Sequence, residues 1–471
     1  MMHWQADRKP VMYRVMYALI KFALTIFFQK IDIRHSYNMP AGKPVVLVAN
    51  HPNSIMDALV LGVVTNRKVN YIAHAGLFRN RIFGWILRSC GVIPVYRRQD
   101  DPDKMEQNVK MFEACTEALE RNEVIGIFPE GISDIQQKVK QLKTGAARII
   151  LETEQKHEYN LGVALLPVGL HFYSLSHFRS RVLVNFGEPL DLAPYLATHR
   201  KDEHDGVREL TDAIQKALEN LIVHIRSESL ESFVREIVAI YKDELKTIEP
   251  ISRKDREKAY REEFVISKAV AECVAFYQNH QPERVEELQD KLALYNRKLN
   301  RLNLRDAMLK ASLTQKEIWF GVAKAYTQAA LGFLPAVYGV LNNFLPYRIA
   351  ENCGKRFLDE RTKILSALLI GGGVAFVLFY FLQSALVYHL WGIKWALLYF
   401  LSLPATGFFA LMYVTKIREQ NQKISFSFYL FTNKHLFNRM KRERRQLITF
   451  LDGLREEYLA FQNTSSTTQV I

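Results

Sequence analysis

The chain has 471 residues, long for one domain, and this length predicts two or more folded regions. It carries 63 Lys and Arg against 49 Asp and Glu, and the net charge of +14 predicts an anionic partner: phosphate, nucleic acid or a lipid surface. The sequence has four cysteines, and none of them forms a Cys-x-x-Cys pair: Cys90, Cys115, Cys273 and Cys353. This pattern is typical of a reducing compartment and argues against a zinc site or a disulfide framework.

Residues 1–30 predict an amphipathic helix at a membrane interface. Apolar residues recur at three- and four-residue spacing: Met12, Val15, Met16, Leu19, Ala23, Ile26 and Phe27. Basic side chains accompany them at Arg8, Lys9, Arg14 and Lys21. Because Lys21 interrupts the apolar stretch and no cleavage site follows, a signal peptide is not favoured. The alternative is a helix packed on the soluble core.

Residues 31–226 alternate strand-like runs with amphipathic helical segments. The strand-like runs are PVVLVAN, VNYIAHA, GVIPVYR, EVIGIFPEG, VALLPVGLHF and RVLVNFGEPL. Segments such as KMEQNVKMFEACTEALER and LKTGAARIILETEQ predict the intervening helices. This alternation predicts an α/β fold with a mostly parallel central sheet flanked by helices. Ligand-binding groups are then expected at the carboxyl ends of the strands.

Three further segments are predicted to be mainly helical. Residues 227–315 are charged and poor in glycine, which favours a helical region. Residues 316–350 are apolar but interrupted by Lys324, Pro335 and Pro346, and we interpret them as interfacial or re-entrant in preference to a third span. Residues 416–471 predict a cytoplasmic helical tail whose last residues, NTSSTTQVI, are disordered.

Residues 351–415 predict a transmembrane hairpin. The spans 364–388 and 395–414 are almost free of charge and each is long enough for a bilayer, which needs about 20 residues. Basic residues flank the pair on its outer sides, so both flanks are expected in the cytoplasm. The sequence therefore predicts an integral membrane protein whose preceding α/β domain faces the cytoplasm. A buried hairpin in a soluble protein is the alternative.

Four short blocks in the α/β region carry polar residues next to strands. They are NHPNSIMD with His51 and Asp57, GVIPVYRR with Arg97 and Arg98, FPEGISD with Glu130, Gly131 and Ser133, and LLPVGL with Pro167. In this order and at these separations they resemble the blocks of the glycerophospholipid acyltransferase family (PlsC-type). The resemblance covers about residues 44–189, and all four blocks together are far more specific than any one of them.

The first block departs from the commonest family pattern. Five residues separate His51 from Asp57, where four are usual, and the form H-P-N-S-x-x-D is closer to a subgroup with fungal-type glycerol-3-phosphate and dihydroxyacetone-phosphate acyltransferases. Ile132 and Ser133 also stand where threonine and arginine are common in the third block. These differences concern the choice of acceptor more than the chemistry.

The residue types of the first block fit acyl transfer to an alcohol. His51, whose side-chain type titrates near neutrality, would remove the proton of the acceptor hydroxyl as it attacks an acyl thioester. Asp57 would hydrogen-bond the other ring nitrogen, fix its tautomer and stabilise the imidazolium. The substrate hydroxyl replaces the serine of a catalytic triad, and neither a metal nor a bound cofactor is required. The alternative is a structural His–Asp pair.

The resemblance implies a phosphate-bearing glycerol acceptor, with acyl-CoA or acyl carrier protein as the donor substrate. Arg97 and Arg98 would supply forked donors to the phosphate, and Lys143 a point charge. The family places Glu130 in the acceptor-binding block, where Gly131 and Ser133 help to shape the turn; Pro167 belongs to the fourth block. The alternatives are solvated surface cations and an exposed turn carboxylate.

The sequence thus predicts a membrane-bound enzyme that acylates glycerol 3-phosphate or 1-acylglycerol 3-phosphate in phospholipid synthesis. Two alternatives remain: an enzyme acting on another lysophospholipid, and an inactive membrane scaffold with the same fold. Nucleic-acid binding is not favoured, because the sequence contains no recognisable nucleic-acid module and basic residues beside membrane segments account for the charge. The pattern leaves the oligomeric state open.

Overall fold

The computed structural model describes residues 11–97, 102–134, 138–174, 178–223, 228–248, 256–302, 306–309, 315–356, 363–432 and 434–468. The chain divides into two compact units. Unit 1 comprises Met1–His224 and Ala350–Gly373, and unit 2 comprises Ile225–Ile349 and Val374–Ile471.

Unit 1 is built on one seven-stranded sheet of order β1-β7-β6-β2-β5-β3-β4. Its strands are β1 (Lys30–Arg34), β2 (Val45–Ala49), β3 (Val69–His74), β4 (Ile93–Val95), β5 (Val124–Ile127), β6 (Ala164–Phe172) and β7 (Arg181–Phe186). All neighbours pair in parallel except β6 and β7, which are antiparallel. The predicted mostly parallel α/β fold is confirmed, and each of the six strand-like runs contains a strand.

Helices cover both faces of the sheet. Those of unit 1 are α1 (Val11–Phe27), α2 (Ile55–Val64), α3 (Arg81–Ser89), α4 (Asn108–Glu120), α5 (Gly145–Lys156), α6 (Ala193–Lys201) and α7 (Glu203–Leu221). Val46 and Val48 of β2 pack in a core cluster with α4, α5 and α7. Val45, Leu47 and Ala49 pack on the opposite face with α1 and α2. Because both faces are buried, β2 is apolar at every position.

Helix α1 is apolar on two sides. Leu24 and Phe27 are buried in the core cluster that includes α2, which agrees with the core-packed alternative for this helix. A second set of apolar side chains on α1 is exposed: Val11, Val15, Leu19 and Phe22. The helix therefore packs on unit 1 and still presents an apolar outer face, so the predicted contact with a membrane stays open to test.

A helical region and a pair of apolar helices follow the α/β domain along the chain, as predicted, and a third apolar helix precedes this pair. The remaining helices are α8 (Glu228–Ile248), α9 (Arg256–His280), α10 (Pro282–Arg301), α11 (Asp306–Leu309), α12 (Gln315–Lys355), α13 (Ile364–Trp391), α14 (Ile393–Thr432) and α15 (Lys434–Thr468). Within unit 2, Arg444 of α15 donates to Asp306 and Glu244, both at 2.9 Å. These ion pairs connect α15 to α11 and α8.

Among the described residues, three stretches are long and apolar enough to cross a membrane: Tyr326–Lys355, Ile364–Trp391 and Ile393–Ile417. The first differs from the interfacial or re-entrant segment predicted for 316–350, since α12 is one continuous helix with Pro335 and Pro346 inside it. Within unit 2, the Asn343 amide donates to the Leu403 carbonyl at 3.3 Å and accepts from the Tyr380 hydroxyl at 2.7 Å. Partners on neighbouring helices make such polar groups compatible with a membrane-spanning helix.

The C-terminal tail also differs in part from its prediction. Helix α15 continues through residues 463–468, which the sequence predicted to be disordered. Residues 469–471 of the same predicted segment lie outside the described residues.

Candidate active site

The polar cluster after β2 lies at the carboxyl end of this strand, close to the middle of the sheet. Asn50 fixes the strand end, because its side-chain amide donates to the Leu170 carbonyl at 2.9 Å and accepts from the Leu170 N–H at 2.7 Å. His51 follows directly. Ser54, the residue just before α2, has a φ of 50°, a backbone conformation that is unfavourable for residues other than glycine. This sharp turn from strand to helix brings Asp57, in the first turn of α2, back towards His51.

His51 and Asp57 form a hydrogen-bonded pair. The distance between His51 Nδ1 and Asp57 Oδ2 is 2.8 Å, and the histidine side chain is 16% exposed while the aspartate is fully buried. Because a carboxylate oxygen only accepts, Nδ1 carries the proton and Nε2 keeps its lone pair. The pair therefore presents a ring nitrogen that is ready to accept a proton.

Asp57 also holds the loop that carries His51. Its Oδ2 accepts a second hydrogen bond, from the Asn53 backbone N–H at 2.7 Å. Burial raises the pKa of Asp57, and the hydrogen bond from His51 opposes this rise. The carboxylate thus depends on its two donors for its charge, and it orients the imidazole while it holds the turn.

Glu130 supports the same loop from β5, the neighbouring strand. Its Oε1 accepts from the His51 backbone N–H at 3.1 Å, and the residue is 4% exposed. Burial raises the pKa of Glu130 from 4.5 to about 7, and the bond from His51 offsets only part of this effect. The structure thus places this predicted acceptor-binding carboxylate beside His51, and the backbones of His51 and Lys140 both donate to it.

The raised pKa of Glu130 predicts a pH-dependent stability. Between pH 4.5 and about 7, the folded protein keeps the proton on Glu130 while the unfolded chain has released it. The free energy of unfolding therefore falls as the pH rises through this range. The loss attributable to Glu130 is at most about 3 kcal/mol. The melting temperature of the wild-type chain is therefore expected to fall between pH 5 and pH 8 by several degrees more than that of Glu130→Gln.

Thermal unfolding of both proteins in the same detergent, followed by intrinsic fluorescence, measures this difference. Glu158→Gln provides a control, because Glu158 is an exposed turn carboxylate elsewhere in unit 1. Its pH profile should follow that of the wild type. Parallel profiles for the wild type and Glu130→Gln would contradict the prediction.

An aromatic ring that the sequence did not single out stacks on His51. The centroids of the His51 and Phe128 rings are 4.3 Å apart at an interplanar angle of 15°. The Tyr71 ring in turn stacks on Phe128, with ring centroids 6.2 Å apart and an interplanar angle of 5°. A parallel ring restricts rotation of the imidazole. The only sequence signal was the place of Phe128 at the end of a strand, next to Glu130.

Gly131 and Lys143 lie together beside Glu130. Gly131 has a φ of 75°, which favours glycine, and a Cβ there would lie 2.8 Å from Lys143 Nζ. The Lys143 backbone N–H donates to the Pro129 carbonyl at 2.9 Å, which ties the two loops together. Lys143 is exposed and Ser133 is half-buried in the same loop. This part of the site therefore has one accessible cation next to the Glu130 turn.

The other predicted site residues are more dispersed. Arg97 is half-buried just after β4, which lies three strands from β2, or about 14 Å across the sheet. The Tyr96 backbone before it is held by Asn108 through two hydrogen bonds of 2.9 Å. Arg98 lies outside the described residues. Pro167 is buried within β6, paired with Val48, so the sheet positions it as a packing residue.

The donor set does not resemble a metal centre. Within the described ranges, no group of three or more His, Cys, Asp or Glu side chains converges in a way that could hold a metal ion. A buried carboxylate, an oriented imidazole and nearby cations are instead the elements of general base catalysis on a charged substrate.

The family comparison identifies this region. Residues 30–171 match the family model described as Acyltransferase. This segment is an acyltransferase-family domain. It contains every residue of the site described above, from His51 to Pro167.

Curated relatives of the acyltransferase domain include two yeast proteins. An uncharacterised acyltransferase of Schizosaccharomyces pombe is 23% identical over 384 residues, covering 62% of this chain and 54% of the relative. Glycerol-3-phosphate O-acyltransferase 1 of Saccharomyces cerevisiae is 25% identical over 316 residues, covering 64% of this chain and 40% of the relative.

A plant enzyme and a bacterial structure also match. The chloroplastic 1-acyl-sn-glycerol-3-phosphate acyltransferase of Arabidopsis thaliana is 30% identical over 144 residues, covering 30% of this chain and 36% of the relative. The chain thus spans about half or less of the length of these curated relatives. The crystal structure of PlsC from Thermotoga maritima is 21% identical with a TM-score of 0.31, covering 46% of this chain and 84% of that one.

Proposed function

We propose that this protein transfers a fatty acyl group from an acyl thioester to a hydroxyl of glycerol 3-phosphate or 1-acylglycerol 3-phosphate. The observation that carries the proposal is the 2.8 Å hydrogen bond between His51 Nδ1 and the fully buried Asp57. It leaves Nε2 as a base at the carboxyl edge of the sheet. Within an acyltransferase-family domain, this geometry supports an active enzyme over an inactive scaffold.

The proposed reaction proceeds by direct attack. His51 Nε2 removes the proton of the acceptor hydroxyl as its oxygen bonds to the thioester carbonyl carbon. Asp57 stabilises the imidazolium through Nδ1–H. When the tetrahedral intermediate collapses, the C–S bond breaks, the thiolate takes the proton from the imidazolium, and the ester and a free thiol leave. The proton balance closes without a covalent acyl-enzyme, a metal or a bound cofactor.

Cations near the site support an acceptor with phosphate. Lys143 lies against Gly131 beside the Glu130 turn, and Arg97 extends from the end of β4 on the same edge of the sheet. The Lys143 ammonium next to the Glu130 turn matches a phosphate near the reacting hydroxyl, and the Arg97 guanidinium, whose strand lies about 14 Å from β2, adds positive charge to the same edge. We place glycerol 3-phosphate first, because the yeast relative named for that activity matches 64% of this chain and the plant 1-acylglycerol-3-phosphate enzyme 30%.

The proposed site of action is the cytoplasmic face of a membrane. Three helices of the chain are long and apolar enough to span a bilayer, and basic residues flank the hairpin of α13 and α14 on its outer sides. An acyltransferase at this surface passes its acylated product to the bilayer without exposing the chain to water. The donor is acyl-CoA or acyl carrier protein.

Acyl transfer by the purified full chain in detergent tests the proposal. Labelled acyl-CoA is offered with glycerol 3-phosphate, 1-acylglycerol 3-phosphate, glycerol or monoacylglycerol in separate reactions. Product is expected with one of the phosphorylated acceptors. The rate with its phosphate-free counterpart should be at least about tenfold lower, since each lost charged contact costs about 1.5–3 kcal/mol. Equal use of both counterparts would favour a different acceptor. Absence of product from every acceptor, with acyl-CoA and with acyl carrier protein, would favour the scaffold.

A further inference from the structure

Helix α3 exposes an apolar surface that the proposed chemistry does not use. Ile82 is 74% exposed, Trp85 55% and Phe83 41%. Isolated apolar side chains on a surface are ordinary, but three within four positions of one short helix form a patch. The helix itself is well fixed: the Asn80 side chain accepts from the N–H groups of Ile82 and Phe83, both at 3.0 Å.

Basic side chains surround this patch. Arg79, Arg81 and Arg88 are exposed on or next to α3. The combination of tryptophan, aliphatic side chains and arginine is typical of protein segments at a bilayer surface, where the apolar groups enter the acyl region and the guanidinium groups meet phosphate headgroups. The charge of the rim therefore complements an anionic lipid surface.

Helix α1 lies beside the patch on α3, because the two helices contact each other. The outer face of α1 exposes Val11 to 77%, Phe22 to 66% and Leu19 to 56%. The exposed apolar positions from Val11 to Phe22 extend over about 17 Å of α1.

The first turn of α13 lies beside α1 within unit 1. Leu365, in this turn, is fully buried in the core cluster that also contains Leu24 and Phe27 of α1. The candidate membrane span Ile364–Trp391 begins in the same turn. The chain therefore enters a candidate span from a position beside α1, and α1 in turn contacts α3.

The opposite layer of the sheet has a different surface. Helix α4 belongs to the core cluster on the other face, and its exposed residues are mainly charged: Lys110, Glu113, Glu117 and Glu120. Val109 is 60% exposed among them, so its exposure is comparable to that of Ile82. Only the layer with α1 combines an apolar surface with the start of a membrane span among the described parts of unit 1.

We propose that α3 inserts into the bilayer surface and forms one membrane-contacting face with the outer side of α1. Ile82, Phe83 and Trp85 enter the acyl region, and the surrounding arginines bind anionic lipid headgroups. Helix α3 follows the carboxyl end of β3, at the edge of the sheet where His51 lies. The inserted helix thus brings lipid acyl chains next to the site, and this inference rests on the membrane location in the proposed function.

Photo-crosslinking to lipid tests this contact in the full chain. A diazirine amino acid replaces Ile82 in one protein, Val109 in a matched control and Ile370, which is 50% exposed on α13, in a second control. Each protein is reconstituted into bilayer discs of phosphatidylcholine and phosphatidylglycerol and irradiated, and lipid adducts are quantified by mass spectrometry. We expect at least tenfold more adduct at position 82 than at position 109.

The two controls separate the possible failures. Adduct at position 370 with no excess at position 82 over position 109 would overturn the role of α3 and leave the membrane location intact. Absence of adduct at both positions 82 and 370 would overturn both. Because the adduct is read by mass, the result is the same in a His51→Ala background, so loss of the proposed activity cannot imitate loss of membrane contact.

Discussion

Replacing His51 with alanine is expected to lower kcat/KM for acyl transfer by about 10²- to 10⁴-fold, the range that a general base contributes. In the proposed reaction Nε2 is the nitrogen that takes the acceptor proton, since Nδ1 is occupied by Asp57 at 2.8 Å. The fold should persist, because the loop keeps the backbone bonds from Asn53 to Asp57 and from His51 to Glu130. Initial rates with the better phosphorylated acceptor, at saturating donor, measure the effect.

His157→Ala is the matched control for this substitution. His157 is a partly exposed histidine in the same unit, and its Nε2 lies 3.1 Å from Glu120 Oε1, away from the site. Its loss should leave the rate within about twofold of the wild type. If His51→Ala retained the wild-type rate while melting at the wild-type temperature, another group would have to serve as the base.

The strands were predictable because their signal is local. The run Val45–Ala49 is apolar at each position, and this is the pattern of a strand covered on both faces. The edge strand β1, with the sequence KIDIR, was not predicted. It has only five residues, and charged residues alternate with its two isoleucines, so its sequence gives a weak signal for a strand. It exists because β7 provides a parallel partner, and such pairing is not encoded in the strand's own residues.

The apolar segment 316–350 shows where a local rule misleads. Pro335 and Pro346 were treated as breaks, because proline removes a backbone donor inside a helix. Helix α12 nevertheless continues through both, as apolar helices tolerate proline when neighbouring helices satisfy the freed groups. Close packing supports this: a Cβ on Gly339 of α12 would clash with the Thr406 carbonyl of α14.

Within the site, sequence reasoning identified the pair but not its surroundings. The residues His51 and Asp57 lie within one short block, so their chemistry and spacing predicted a contact. The bond from the His51 N–H to Glu130 joins positions 79 residues apart, and the ring stack joins His51 to a different strand. The sequence had also assigned Glu130 to the acceptor. Its hydrogen bond to the His51 backbone became apparent only when β2 and β5 were adjacent.

Replacing Asp57 with asparagine is expected to lower kcat by about 10²- to 10⁴-fold with little change in the KM for the acceptor. Asp57 Oδ2 accepts from both His51 Nδ1 and the Asn53 N–H. Because this one oxygen accepts both bonds, an asparagine whose amide oxygen takes its place keeps both donors. It lacks the negative charge, so it no longer stabilises the imidazolium that forms when Nε2 takes the proton of the acceptor hydroxyl.

Stability distinguishes this effect from simple unfolding. Burial raises the pKa of Asp57, so its charge is costly in the folded protein, and a neutral amide of the same size is expected to keep or raise the melting temperature. The double variant His51→Ala with Asp57→Asn should be no slower than His51→Ala alone, because the carboxylate acts through the imidazole. Additive losses in the double variant would instead assign Asp57 a separate role, and an undiminished kcat in Asp57→Asn would show that the negative charge of Asp57 does not govern the reaction.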